Sequence, residues 1–239
     1  MHIRTSSYAV CAGVALVTGC ADWPRFDHLP GDDGSLSSDV PPGSLVDVDW
    51  TELTEPDPDP GDLPHASGHP SATLHAGRGA LLTGTLEGLG WSDEAVAETL
   101  TDDDCPGAEG RRSPLPQGDY LGDVDYLVVE LPDAATLCAE VRLEVDHVGW
   151  DVIAWPIDAC GIPGDPLQDA TGGVLGADLG GAGGGFGAVV EAGRYAVTLA
   201  AYDPYDPEAE LPYTLGVAAV PVGPDGRPGA CPLLPTEAP

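Results

Sequence analysis

The sequence predicts an all-β protein: an antiparallel, jelly-roll-like β-sandwich of about seven to eight strands, preceded by an acidic, proline-rich tether. Three observations carry that expectation. From about residue 72 to 222, apolar and polar residues alternate with period two. Clusters of Gly, Pro and Asp interrupt the alternation at short intervals. Upstream, residues 21–70 are so rich in Pro, Asp and Gly that they lack the apolar surface to offset chain entropy.

The chain opens with a targeting pattern. Met1–Ser7 is short and polar and carries Arg4, and Tyr8–Val17 is apolar. That run suits a signal-peptide core and is shorter than the roughly 20 residues of a spanning helix. It ends in Val17-Thr18-Gly19-Cys20, which resembles the lipobox of bacterial lipoprotein precursors. The resemblance implies that residues 1–19 are removed and that Cys20 carries lipid. Two or more acyl chains hold a protein stably on a bilayer, because each buried CH₂ contributes roughly 0.8 kcal/mol. Ala21 is not acidic. By similarity to enterobacterial lipoproteins this favours the outer membrane, facing periplasm or exterior.

Residues 20–71 are read as lipid anchor and tether. Proline and charge repulsion extend such a chain, which reaches at most roughly 150 Å and as a coil about 40 Å. The apolar piece Ser44–Leu53 is counted with the tether, although it could dock. Asp57, Asp59 and Asp62 alternate acids, but Pro58 and Pro60 stiffen the run against wrapping a cation.

The sandwich is expected over 72–222. Leu81–Leu86 and Val124–Leu131 read as strands, with an insertion at 88–122 in which Ser92 caps a helix, Trp91–Leu100. Leu137–Asp146 is the clearest strand, with Leu137, Ala139, Val141, Leu143 and Val145 on one face. Val152–Ile157 is apolar on both faces and reads as central. Phe186–Val190, Tyr195–Ala201 and Tyr213–Ala219 complete the set, and 223–239 is a tail. Gly172–Gly187 reads as a loop between strands.

The strand order resembles the bacterial pre-peptidase C-terminal domain. Gly122-Asp123-Val124-Asp125-Tyr126-Leu127-Val128-Val129 is similar to that family's opening motif, Trp150–Trp155 to its second, Ala192–Leu199 to its third and Pro212–Val217 to its closing strand. The resemblance covers roughly residues 78–220. The insertion and Leu127, which replaces an aromatic, depart from the pattern. It implies a non-catalytic jelly-roll-like module, found on secreted enzymes and surface proteins, some of which bind calcium or matrix polymers.

Composition excludes several chemistries. The 239 residues carry a net charge of −32 and contain no lysine. Phosphate backbones demand cationic partners, so nucleic acid is not a ligand. A P-loop, a Schiff base and a Ser–Lys dyad all require lysine. No HExxH or nucleophile elbow occurs, and no enzymatic activity is expected.

Six cysteines are present. Cys11 leaves with the signal and Cys20 takes lipid. The other four read as two disulfides in an oxidising compartment. If Leu137–Asp146 and Val152–Ile157 form a hairpin about Gly149, Cys138 lies opposite Cys160, which leaves Cys105 for Cys231.

Candidate ligand residues are few. Asp119, Asp123 and Asp125 crowd the start of a strand, where carboxylates share hard cations such as calcium. Tyr202 and Tyr205 flank a turn and, with Trp150 and Trp155, would offer an aromatic platform to a sugar ring. His65, His69 and His75 lie close in sequence, but Gly68 and Pro70 deny them a helix face. The expectation is a membrane-anchored cell-envelope lipoprotein with a non-catalytic binding or structural domain. The alternatives are an accessory subunit of a secreted hydrolase and a calcium-dependent surface adhesin. Its partners would be the membrane, through Cys20, and a protein or polysaccharide.

Overall fold

The computed structural model describes residues 47–55, 69–89, 123–159, 161, 163–177, 179–201 and 206–235. Among these residues eight strands follow one another: β1 (Asp49–Thr54), β2 (Ser71–Thr73), β3 (Arg78–Leu89), β4 (Asp125–Leu131), β5 (Ala135–Ile157), β6 (Leu179–Val190), β7 (Gly193–Ala201) and β8 (Asp206–Val220). One 3-10 turn, Pro224–Gly226, comes after them. The protein is all-β, as the alternation predicts. Among the described residues no helix is long and apolar enough to cross a membrane. The predicted helix Trp91–Leu100 lies outside the described residues.

The sheet order is β1-β3-β8-β5-β7-β4-β2, with β6 also on β5. It is a mixed sheet, not a purely antiparallel one. β1 runs parallel to β3 and β2 parallel to β4. Both parallel partners come from or adjoin the segment read as tether, where period two is too brief to register as a strand. β1 corrects the tether boundary directly. Asp49–Thr54 pairs along Arg78–Thr83 of β3. Its Trp50 lies over Gly79, where a Cβ would come within 2.6 Å of the ring carbon Cζ3 and 2.9 Å of Val48 Cγ1. Only glycine leaves that room.

β5 organises the rest. Its first part, Thr136–Leu143, pairs with β8 on one edge, and Ala135–Arg142 pairs with β6 on the other. Its last part, Trp150–Ile157, pairs with β7. Between them the register shifts twice, and Gly149 takes φ +78°, a conformation that favours glycine. The predicted hairpin about Gly149 is therefore a bend within one strand of 23 residues. Val145, expected in the core, is 55% exposed, because the shift breaks the alternation after Leu143.

One core gathers the inward faces of both parts of β5. Leu137, Val141, Val152 and Ala154 meet Leu127 and Val129 of β4, Val197 and Leu199 of β7, Leu215 and Val217 of β8, and Leu82 and Leu86 of β3. Trp150 is fully buried among them, and its indole N–H donates to the Gly181 carbonyl at 3.2 Å. The glycine-rich stretch expected as a loop is largely a strand, β6, laid along β5.

The disulfide differs from the predicted pairing. Cys138 is joined to Cys231, with Cα atoms 5.6 Å apart. The pairing of Cys138 with Cys160 depended on the hairpin. In a continuous strand at about 3.3 Å per residue, Cys138 and Ile157 are carried far apart instead of face to face. Pairing of Cys105 with Cys231 is likewise overturned, since Cys231 is taken. Cys105 and Cys160 themselves lie outside the described residues. Peptide mapping without reductant is expected to recover Cys138 crosslinked to Cys231. Replacing fully buried Leu215 by Ala should lower the unfolding free energy by about 2–5 kcal/mol in urea titrations.

Candidate metal centre

The register that builds the core also places a carboxylate in it. Along β4, Asp125, Leu127, Val129 and Leu131 share one face, since alternate residues point the same way. The last three are core residues. Asp125 is therefore turned inward and only 5% exposed. Two further inward positions surround it. Gly84 continues the series Ala80, Leu82 on β3, and its register partner on β8 is Tyr213. Tyr213 is 3% exposed.

Glu55 closes the arrangement from the end of β1, and Asp123 from two residues before Asp125. Ligand oxygens of Glu55, Asp123 and Asp125 lie within 4.8 Å of one another. The backbone of β3 orients two of them. The Thr85 amide donates to Glu55 Oε2 at 3.1 Å, and the Glu87 amide donates to Asp123 Oδ2 at 2.9 Å. Gly84 provides the space. A Cβ there would collide with Glu55 Oε2 and come within 2.6 Å of the Tyr213 hydroxyl.

Two polar atoms inside this pocket have no hydrogen bond of normal geometry: Asp125 Oδ2 and the Tyr213 hydroxyl. The Asp125 carboxyl stands close enough to the side chains of Glu55 and Tyr213 to interact with both, which couples the three groups electrostatically. Buried polar atoms of this kind cost free energy unless something satisfies them. Burial first, then the charge of Asp123 and a shared proton with Glu55, push the Asp125 carboxyl up to about 10. Burial and the same carboxylates raise the Tyr213 hydroxyl as well. Three carboxylates that repel one another this strongly suit a cation.

The donor set is all oxygen, which suits calcium, magnesium or manganese over zinc or copper. Calcium–oxygen distances of about 2.4 Å allow two ligands of one ion to stand up to roughly 4.8 Å apart, so the three carboxylates fit a single ion. A cation here would neutralise the cluster and hold the end of β1 against β3 and β4.

The structure brings together Asp123 and Asp125 of the predicted trio. Asp119, Tyr202, Tyr205 and Cys20 lie outside the described residues. Trp150 and Trp155 are buried, and the Trp155 indole donates to Thr198 Oγ1 at 3.2 Å, so neither serves as a sugar platform. The His69 ring lies 5.1 Å from that of Tyr126 at a tilt of 56°, and among the described residues it joins no group of metal-ligating side chains. Glu55 was missed because it lies within the segment read as tether; the apolar alternation Val46, Val48, Trp50 just before it was the available signal. No family model matches this sequence, and no curated protein matches it.

The unfolded Asp125 side chain titrates near 3.8, whereas the folded one keeps its proton to about 10. Between those values the unfolded chain has lost a proton that the folded chain retains, so folding stability falls as pH rises. In chelator, the urea midpoint is expected to decline from pH 5 to pH 9, and Asp125→Asn should flatten that slope. A slope that Asp125→Asn leaves unchanged would place the responsible charge elsewhere. Gly84→Ala should destabilise the domain by about 1–3 kcal/mol, the usual range for overpacking, as read from its urea midpoint.

Proposed function

We propose that this chain is a lipid-anchored cell-envelope protein whose β domain is a non-catalytic binding or structural module built around a divalent cation, calcium by its chemistry. The observation that carries the cation is the cluster of Glu55, Asp123 and Asp125 about a buried, unsatisfied oxygen. The reading of the anchor rests on the run ending in Val17-Thr18-Gly19-Cys20. On this reading residues 1–19 are a signal peptide, and acylated Cys20 fastens the mature protein to the outer membrane. The spacer then ends near Asp47, two residues before β1 begins at Asp49, and not at residue 71. About 27 residues would span at most roughly 80 Å.

The finer architecture is a jelly-roll-like sandwich in which β5 passes from one layer to the other. The exchange of β8 and β6 for β7 along β5 supports that reading, as does a core filled from both parts of β5. A sandwich of this kind displays its loops and outer faces to protein or polysaccharide partners. The absence of lysine and of a nucleophile motif supports a binding role over catalysis.

The cation would act on structure. It would neutralise mutually repelling carboxylates and pin the strand that continues into the tether. Thermal melts test this directly. Calcium at about a hundred times its Kd should contribute roughly 2.7 kcal/mol, a clear rise in Tm over chelator. Glu55→Gln and Asp123→Asn should abolish most of that rise. Equal midpoints in calcium and chelator would remove the cation. The anchor is tested separately: a Cys20→Ala version should move from the membrane to the soluble fraction, and its retention on membranes would end the anchoring argument.

A further inference from the structure

Outside the core, the C-terminal segment Gly229–Pro235 runs along the outer face of β5. It follows the residues that alternate away from the core: Thr136, Cys138, Glu140 and Arg142. The Gly229 amide donates to Thr136 Oγ1 at 2.8 Å, and the Leu234 amide donates to Glu140 Oε2 at 3.2 Å. The Arg142 guanidinium donates to the carbonyls of Pro235 and Leu234, at 2.9 and 3.3 Å. Leu234 is 4% exposed and fills the space over Gly216, where any Cβ would strike its Cδ2. Leu81 and Trp50 border the same spot, each 3.3 Å from that Cβ position. In the middle of this strap sits the Cys138–Cys231 disulfide, in room left by Gly187.

Among the described residues no ladder hydrogen bond joins the strap to the sheet, and β5 already has strand partners on both edges beneath it. The sheet is therefore complete without the strap. The two sulfurs are also unequal: Cys138 is 4% exposed, whereas Cys231 is exposed. We propose that the Cys138–Cys231 disulfide is a redox latch that holds Gly229–Pro235 over an apolar patch of the outer face, formed by Gly216, Leu81, Trp50 and Ala218, and that its reduction by a dithiol frees the strap without unfolding the sheet.

A thiolate of the dithiol attacks Sγ of Cys231, the more exposed residue of the pair, and forms a mixed disulfide. The Cys138–Cys231 bond breaks, and Cys138 leaves as a thiolate and takes up a proton. The second thiolate of the reductant then attacks its own bound sulfur. Cys231 is released as a thiol, and the reductant, two electrons poorer, becomes a cyclic disulfide. Without the bond the strap keeps four side-chain hydrogen bonds, the weak contact of Cys231 Sγ with the Phe186 carbonyl, and the buried side chains of Pro232 and Leu234.

The test uses dithiothreitol on the purified mature protein in native buffer, with alkylation mapped to Cys138 and Cys231 and amide exchange followed by mass. A Cys138→Ala/Cys231→Ser variant supplies the open state without reductant and without a thiol at either position. Exchange at the Leu234 amide is expected to speed up roughly tenfold or more in both, while the paired amides of Val141 and Leu215 keep their protection. Binding of an apolar fluorescent dye should rise in parallel. Strap amides that stay protected after reduction would overturn the latch. So would loss of protection across the sheet, or a double variant that cannot fold, since either makes the bond a structural staple.

Discussion

The register of β5 is the constraint on which the rest depends. A single strand of 23 residues takes β8 and β6 as neighbours in its first part and β7 in its last. Its inward residues fill one core from both parts. Side chains alternate with period two, so a slip of one residue would exchange core and surface along the whole strand. The bend that permits the change of partners is concentrated at the register shifts around Gly149. A residue with a Cβ would resist that positive φ.

The same alternation explains why one end of the core is polar. Asp125 occupies an inward position of β4 at the point where Gly84 of β3 and Tyr213 of β8 also turn inward. A carboxylate in such a place is unfavourable when ionised and alone. Burial first, and then the two carboxylates it faces, hold its carboxyl protonated to about 10. Either a proton or a cation must offset the crowding. Glu55 links that choice to β1 and so to the chain that leads upstream toward Cys20.

The two flanks of the domain converge on one outer surface. Trp50 and Val48 lie over Gly79 from the N-terminal side, and Leu234 lies over Gly216 from the C-terminal side. Glycines at both positions let these side chains approach the sheet backbone. The outward residues of β5, which a strand with one buried face would ordinarily leave to water, become hand-holds: Thr136, Glu140 and Arg142 bond the strap, and Cys138 is covalently joined to it. Burial beneath this covering raises the Glu140 carboxyl, an effect opposed by the Leu234 amide and Arg142.

Period two and its punctuation were enough to determine the all-β class and six of the strands, because alternation is a local property that survives without knowledge of neighbours. Asp123 and Asp125 were legible as a pair for the same reason, being two residues apart at a strand's start. What the sequence alone could not determine was decided by pairing over long separations. Asp49–Thr54 became a strand only because β3 offered an open edge, and Glu55 reached Asp125 only through that pairing. The turn expected at Gly149 became a bend because β7 waited to continue the ladder. Cys231 found Cys138 across 93 residues, along a face that no local pattern describes. Local alternation says which side of a strand is apolar; only the assembled sheet decides which strands meet, and with them which carboxylates and which sulfurs.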